Sequence, residues 1–115
     1  MQTNDKINGL TWEDFINCPI NFALQKIGGK WKPVILHRLQ IGINRFSLLQ
    51  KSIPVISKQM LINQLRELEK DGYIKREVFP EVPPHVEYYI TEKGKTIFPI
   101  LDILAKWGKE QMIDK

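Results

Sequence analysis

Apolar residues recur every three or four positions over most of the first 71 residues, which is the spacing of amphipathic α-helices. Residues that favour helix ends divide this pattern into five segments. The predicted helices are a short one capped by Thr11, one from Cys18-Pro19 to Gly28-Gly29, one from Lys30 to Leu39, a short one from Arg45 to Lys51, and one from Lys58 to Asp71, capped by Ser57.

The pattern alternates between apolar and polar residues after the fifth helix. This alternation predicts two strands, Tyr73 to Phe79 and His85 to Ile90, joined by the stiff loop Pro80 to Pro84. A last helix begins at Thr91, and Pro99 is expected to kink or interrupt it. The order of elements predicts an α+β fold that is mostly helical. The hairpin residues expected to pack toward the helices are Ile74, Val78, Val86, Tyr88 and Ile90.

The length of 115 residues predicts a single domain. We expect residues 1–10 to be a flexible leader and residues 11–115 to form the domain. An apolar share of 43% and a charged share of 26% are typical of a globular chain.

Charge is distributed unevenly along the chain, which has a formal net charge of +4 and an isoelectric point of about 9.2. No Asp or Glu occurs from Phe15 to Arg66. The cations of that stretch are Lys26, Lys30, Lys32, Arg38, Arg45, Lys51, Lys58 and Arg66. This segregation predicts a positive field over one part of the fold and favours a nucleic-acid partner. A solvated basic surface is the alternative.

The sequence gives little support to membrane, secreted, metal-binding or catalytic classes. No run of eighteen apolar residues occurs, the N-terminus is polar, and the single cysteine fits a reducing compartment, so we expect a cytoplasmic protein. His37 and His85 are far apart, and one cysteine with two histidines has no metal-ligand spacing. Gly28-Gly29-Lys30 lacks the spacing of a phosphate-binding loop. We therefore expect no enzyme, no metal and no cofactor.

A short helix, a turn, a longer helix and a hairpin form a unit that is typical of DNA-binding proteins. On a helical wheel of residues 58–71, three leucines share one face: Leu61, Leu65 and Leu68. The opposite face carries Gln59, Asn63, Arg66 and Lys70, with Ile62 on its flank. Arginine can pair with guanine, asparagine and glutamine with adenine, and an aliphatic side chain can contact a thymine methyl. This helix is therefore predicted to read the major groove.

Other residues are predicted to contact the DNA backbone. Ser57, Lys58 and the free amides at the start of the same helix suit a phosphate. Arg45 precedes the short helix and can bind phosphate, although a plain surface arginine is the alternative. The hairpin residues proposed as contacts are Arg76, Pro83, Pro84 and His85; a purely structural hairpin is the alternative for these four.

A series of motifs spans about residues 18 to 108. In order they are Cys18-Pro19, Ile27-Gly28-Gly29-Lys30-Trp31-Lys32, Arg45-Phe46-Ser47, Ile56-Ser57, Leu61, Gln64-Leu65-Arg66-Glu67-Leu68-Glu69, Asp71-Gly72, Pro80-Glu81-Val82-Pro83-Pro84, Val86-Glu87-Tyr88 and Thr91-Glu92-Lys93-Gly94. Their order and spacing resemble those of the HxlR-type winged helix-turn-helix regulators, relatives of MarR-type proteins. The resemblance implies a helix-turn-helix at about 45–72, a two-stranded wing at about 73–90 and a C-terminal dimerisation helix at about 91–113.

The resemblance also implies a bacterial transcription factor that binds a near-palindromic operator as a homodimer through its first and last helices. The large apolar residues that we assign to the dimer interface are Trp12, Phe15, Phe22, Leu101, Leu104 and Trp107. Two positions depart from the family pattern. Leu48 stands where an acidic residue is frequent, and His85 stands where arginine or lysine is usual. A neutral imidazole would weaken the phosphate contact of the wing.

Cys18 is a candidate redox or electrophile sensor. It lies at the N-terminal boundary of a helix, where the helix dipole favours a thiolate, and some members of the family sense oxidants through a cysteine near the N-terminus. A buried cysteine that serves as a small hydrophobe is the alternative.

The sequence therefore predicts a sequence-specific regulator that binds double-stranded DNA. RNA is disfavoured because its major groove does not admit a helix. A winged-helix protein-interaction module without DNA binding is the alternative.

Overall fold

Seven helices and two strands occur within residues 9–113, the part of the chain that the computed structural model describes. In chain order they are α1 (Trp12–Ile16), α2 (Pro19–Ile27), α3 (Lys32–Gln40), α4 (Phe46–Ser52), α5 (Lys58–Lys70), β1 (Ile74–Phe79), β2 (His85–Ile90), α6 (Glu92–Lys95) and α7 (Phe98–Ile113). The strands pair as one antiparallel hairpin, with Ile74 opposite Ile90 and Phe79 opposite His85. This is the mostly helical α+β fold that the sequence predicts. Residues 1–8 of the expected leader lie outside the described residues.

Local capping sets the ends of the helices. Thr11 and Asp14 form a capping box, in which the backbone amide of Thr11 donates to the Asp14 carboxylate at 2.8 Å. Arg45 caps α4 instead of beginning it. The third helix begins two residues later than expected, because the positive φ of Gly29, 86°, and a turn at residues 30–31 precede it.

The final helix is interrupted, as the sequence predicts, but the break falls at Thr96 and Ile97. Pro99 then occupies the first turn of α7, where its missing amide hydrogen removes no helical bond.

The core is formed by α3, α4, α5, the base of the hairpin and the start of α7. Its buried apolar residues are Ile35, Leu36, Leu39, Leu49, Ile53, Ile56, Leu61, Leu65, Leu68, Ile74, Tyr88, Ile97 and Leu101. Helix α3 lies centrally, in contact with α4, α5, α7 and β2. The expectation for Val78 was wrong: its side chain is 51% exposed, because it lies near the far end of β1, away from the core.

The segment Thr91 to Lys95 fixes the base of the hairpin against the end of α5. The hydroxyl of Thr91 donates to the carbonyl of Gly72 at 2.6 Å, and Lys93 donates to the carbonyl of Asp71 at 2.6 Å. Gly94 is buried beside Tyr73, where an added Cβ would lie 2.1 Å from the Tyr73 carbonyl oxygen. This close approach explains why glycine occupies the position.

The terminal helices leave most of their apolar surface exposed. Helices α1 and α2 contain no buried residue, and α7 buries Leu101 alone. The radius of gyration is 17.6 Å, against about 13 Å for a compact domain of this length. The terminal helices therefore extend beyond the core that they flank.

Replacing Gly94 with alanine should destabilise the fold by roughly 1–3 kcal/mol, because the methyl group would collide with backbone. Gly108→Ala is the matched control. An added Cβ there has no neighbouring atom of the same chain within 4 Å, and alanine favours a helix. Urea unfolding followed by circular dichroism, at one protein concentration, measures both. Equal midpoints for Gly94→Ala and the unmodified protein would contradict the packing argument.

Candidate nucleic-acid interface

Helix α5 presents one buried face and one exposed polar face. Leu61, Leu65 and Leu68 are at most 1% exposed, whereas Gln59, Asn63, Arg66 and Lys70 are exposed. The side chain of Ser57 accepts a hydrogen bond from the amide of Met60 at 3.1 Å and so caps the helix.

A Schellman motif closes the other end of α5. The amide of Gly72 donates to Glu69, the amide of Tyr73 donates to Leu68, each at 3.0 Å, and Gly72 has a φ of 83°. The strand therefore begins at Ile74 and not at Tyr73.

The residues predicted to contact DNA lie on α5, at the N-caps of α4 and α5, and on the hairpin. All are exposed except Ile62 and His85, which are half-buried. A groove of about 380 Å³ between α5 and the hairpin brings several of them together. Its lining residues are Phe46, Lys58, Ile62, Arg66, Glu69, Arg76, Val86 and Tyr88. Three cations and one carboxylate therefore border a groove open to solvent, while Gln59, Asn63 and Lys70 do not line it.

Tyr88 belongs to the core and also lines this groove. Its side chain is 7% exposed, and Arg76 lies opposite it in the strand register. Burial raises the pKa of the Tyr88 phenol above its ordinary value, although the nearby Arg76 guanidinium acts in the opposite direction. The sequence predicted Tyr88 as a packing residue and did not identify its second role in lining the groove.

Arg45 connects the helix-turn-helix to the hairpin. It forms an isolated antiparallel bridge with Glu87, and the amide of Tyr88 donates to the carbonyl of Asn44 at 2.8 Å. The guanidinium of Arg45 lies 3.4 Å from Nε2 of His85. Backbone pairing thus holds the segment before α4 against β2.

His85 is engaged within the hairpin. Its Nε2 lies 2.9 Å from Glu87, its Nδ1 lies 3.5 Å from Glu81, and its ring stacks on Phe79 with centroids 4.8 Å apart. The side chain is 14% exposed. These contacts hold His85 within the wing, and its contact with phosphate stays a prediction.

Glu87 is the acceptor at the centre of this network. The hydrogen bonds that it accepts from Tyr89 and His85 hold the pKa of its carboxyl below its ordinary value. The bond to Glu87 also raises the pKa of Tyr89 to about 12. Sequence reasoning missed this cluster, although the spacing of His85, Glu87 and Tyr89 by two residues places them on one face of a strand.

An ion pair between a buried lysine and an exposed glutamate ties α5 to α3. The ammonium of Lys32 lies 2.6 Å from the carboxylate of Glu67, and the two side chains are 7% and 56% exposed. The partners are 35 positions apart, so no local pattern could identify them. This bond fixes α5 against the central helix one turn after Asn63.

Comparison with known proteins gives the family. The profile of the HxlR-like helix-turn-helix family matches residues 26–115. The chain belongs to the HxlR-like helix-turn-helix family. The two-stranded hairpin is accordingly the wing of a winged helix-turn-helix fold.

Relatives of this HxlR-like protein occur in archaea and bacteria. An uncharacterized HTH-type transcriptional regulator of Methanothermobacter thermautotrophicus is 53% identical over 97 residues, covering 84% of this chain and 74% of that protein. The regulator YdeP of Bacillus subtilis is 47% identical over 105 residues, covering 90% and 82%. The solved structure of the redox regulator HypR in its oxidized form superimposes with a TM-score of 0.77 at 45% identity, covering 81% and 96%. The chain is therefore a DNA-binding transcriptional regulator with a winged helix-turn-helix fold.

Cys18 lies outside the segment that the HxlR-like profile matches. It is the N-cap residue of α2, half-buried, and borders an open pocket of about 500 Å³. The charged residue in that lining is Asp14, so the pocket does not supply the cation that normally activates a thiol.

The residues that we assigned to a dimer interface divide into two groups. Trp12, Phe15, Phe22, Leu104 and Trp107 are between 46% and 61% exposed. Leu101 is only 6% exposed and belongs to the core of one chain, which corrects its place in that set.

Two further findings concern residues 9–113. No group of three or more His, Cys, Asp or Glu side chains there is arranged to hold a metal ion. None of the helices in this range combines the length and the apolar character needed to cross a bilayer.

Proposed function

We propose that this HxlR-like regulator binds a near-palindromic operator as a homodimer, with α5 of each subunit in a major groove. The observation that carries the proposal is the exposed face of α5. Its side chains, Gln59, Asn63, Arg66 and Lys70, can all donate hydrogen bonds, and no acid lies among them. A protein-interaction module would not need this combination. Chromosomal DNA as the target implies action in the cytoplasm, on the nucleoid, and requires no catalytic step.

In this proposal, one set of residues positions the protein on the DNA backbone and another set reads the bases. Ser57 and Lys58 stand at the N-terminus of α5, where free amides and a cation favour phosphate. Arg45, held against β2, and Arg76, bordering the groove, supply further backbone contacts. Asn63 and Arg66 project from the middle of α5 and are assigned to base edges.

The Gln59 amide donates to the Asn63 side-chain oxygen at 2.9 Å. This bond aligns the two side chains before binding, so fewer rotamers need to be ordered when the base contacts form.

Asn63→Ala or Arg66→Ala should weaken operator binding by roughly 1–3 kcal/mol and relax sequence preference at one position of each half-site. Lys58→Ala should weaken binding to all sequences alike and reduce the salt slope by about 0.9, the value of one phosphate contact. The measurement is fluorescence anisotropy on a duplex that the unmodified protein selects from a random pool. Lys109→Ala, on α7, is the charge control. Unchanged affinity and preference in both base-contact variants would refute the assignment of α5.

Dimerisation is proposed from the apolar surface of the terminal helices. The exposed residues of α1, α2 and α7 include aromatic side chains at Trp12, Phe15, Phe22 and Trp107. Solvated monomers rarely leave so large an apolar patch uncovered. A two-fold axis through this surface would present two α5 helices to successive major grooves, about 34–36 Å apart.

Sedimentation equilibrium at micromolar concentration should give a mass near twice 13.5 kDa. Replacing Trp107 with glutamate places a charge in the proposed interface and should shift the protein to monomer. It should also weaken binding to a two-half-site duplex by more than the added negative charge alone would. Ile41→Glu adds the same charge at an exposed site outside the terminal helices. A monomeric unmodified protein that binds one half-site would overturn the dimer proposal.

A redox response is a second candidate function. It is favoured by the 45% identity to HypR, a redox regulator solved in both oxidized and reduced forms. Cys18 is the chain's single cysteine, and it lies between α1 and α2, beside the proposed interface. Oxidation or alkylation there would change the packing of α1 and alter the spacing of the two recognition helices.

Diamide or a quinone should change the operator affinity of the unmodified protein, and dithiothreitol should reverse the diamide effect. Cys18→Ser should bind the operator normally and ignore both reagents. Equal affinity before and after treatment, with Cys18 modified according to mass spectrometry, would rule out the sensor. Failure of the thiol to react in the folded protein would favour its role as a small hydrophobe.

A further inference from the structure

The C-terminal end of α5 carries an acid where the helix itself disfavours one. Asp71 is the C-cap residue of α5. The unpaired carbonyl groups at the end of a helix give it a partial negative charge, so a carboxylate there is unfavourable and a cation is favourable. Helix formation therefore does not account for an acid at this position, and a cation from another element is needed to offset its charge.

Two lysines from other elements meet this end of α5. The ammonium of Lys93, on α6, donates to the backbone carbonyl of Asp71 at 2.6 Å and lies 4.7 Å from the centre of the Tyr73 ring. The ammonium of Lys26, on α2, lies 3.6 Å from the Asp71 carboxylate. Within residues 9–113, Lys26 is the one cation that forms an ion pair with this carboxylate.

Helix α2 is attached to the core at its C-terminal end. The helix contains no buried residue, and Ile27, its last residue, is half-buried and packs against the core. Phe22, one turn before Lys26, is 58% exposed and belongs to the proposed dimer interface. The Lys26 ammonium lies 5.4 Å from the centre of the Phe22 ring. Lys26 therefore stands between the proposed interface and the end of α5.

We propose, on the basis of the homodimer proposed above, that the Lys26–Asp71 pair sets the angle between α2 and α5 and so determines which separation of half-sites the dimer accepts. The two side chains are 35% and 25% exposed, so solvent screens their attraction less than on an open surface. In a dimer joined through α2, each pair fixes one α5 relative to the two-fold axis. Both are positioning residues, because they act on DNA through α5.

The test compares duplexes that carry the same two half-sites at different separations, with half-sites taken from the duplex that the unmodified protein selects from a random pool. Each added base pair rotates one half-site by about 34–36° around the DNA axis, since a turn holds about 10–10.5 base pairs. The unmodified dimer should prefer one separation. Asp71→Asn should lower this preference, measured as the ratio of affinities for the best and the neighbouring separations, about two- to fivefold, the range of one partly exposed ion pair.

Further variants separate ion pairing from a general loss of stability. Lys26→Gln should lower the ratio as Asp71→Asn does, whereas Lys26→Arg retains the pair and should retain the ratio. The double variant Lys26→Asp with Asp71→Lys restores opposite charges and should regain part of the preference that each reversal alone loses. Glu92→Gln, the control, breaks an exposed pair with Lys95 on α6 and should leave the ratio unchanged. Partial unfolding lowers both affinities equally, so it does not change their ratio.

An unchanged ratio in both Asp71→Asn and Lys26→Gln would overturn the proposal, as would a double variant no better than the single reversals. Either result leaves a dimer that still prefers one separation, so the proposed function stands. Equal binding of the unmodified protein at every separation would instead remove the homodimer, and this inference with it.

Discussion

The two faces of α5 constrain the rest of the molecule. Leu61, Leu65 and Leu68 are buried against α3, α4 and the hairpin, and burial of large aliphatic side chains is the main source of folding free energy. Because the three leucines fix the rotation of the helix about its axis, the direction of Asn63 and Arg66 is fixed too. The interface is thus a consequence of core packing, and a change that rotates the leucines would also misdirect the polar face.

Several acids contact basic side chains inside the fold, whereas Glu69 lies at the groove beside α5. Glu67 is the first acid after a long basic stretch, and it pairs with Lys32, the charged side chain of lowest exposure. Burying an ammonium without a partner is costly, so this acid serves stability. Glu87 and Glu81 lie against the two ring nitrogens of His85. Lys58, Arg66 and Arg76 make no ion pair within the described residues, and their charge remains available at the groove.

Features set by neighbouring residues were predictable from the sequence, and features set by distant ones were not. The bounds of α5 follow from Ser57 and Gly72, which act within one turn, so the prediction differs by a single residue. The break before α7 was expected from Pro99 for the same reason. In contrast, the exposure of Val78 depends on how far the hairpin extends past the helices, and the burial of Leu101 depends on the packing of α7 on α3. The Lys32–Glu67 pair and the contact of Arg45 with β2 likewise form only when the chain is folded.

Helix α3 offers the physical link between the terminal helices and the DNA-binding surface. It packs on α7 through Leu101 and on α5 through its core residues and Lys32. A packed core has few intermediate arrangements, so a displacement of α7 in the proposed interface would pass through α3 to α5 as a shift. Since two half-sites have a fixed spacing on DNA, even a small shift would alter operator affinity, while the fold of each subunit stays the same.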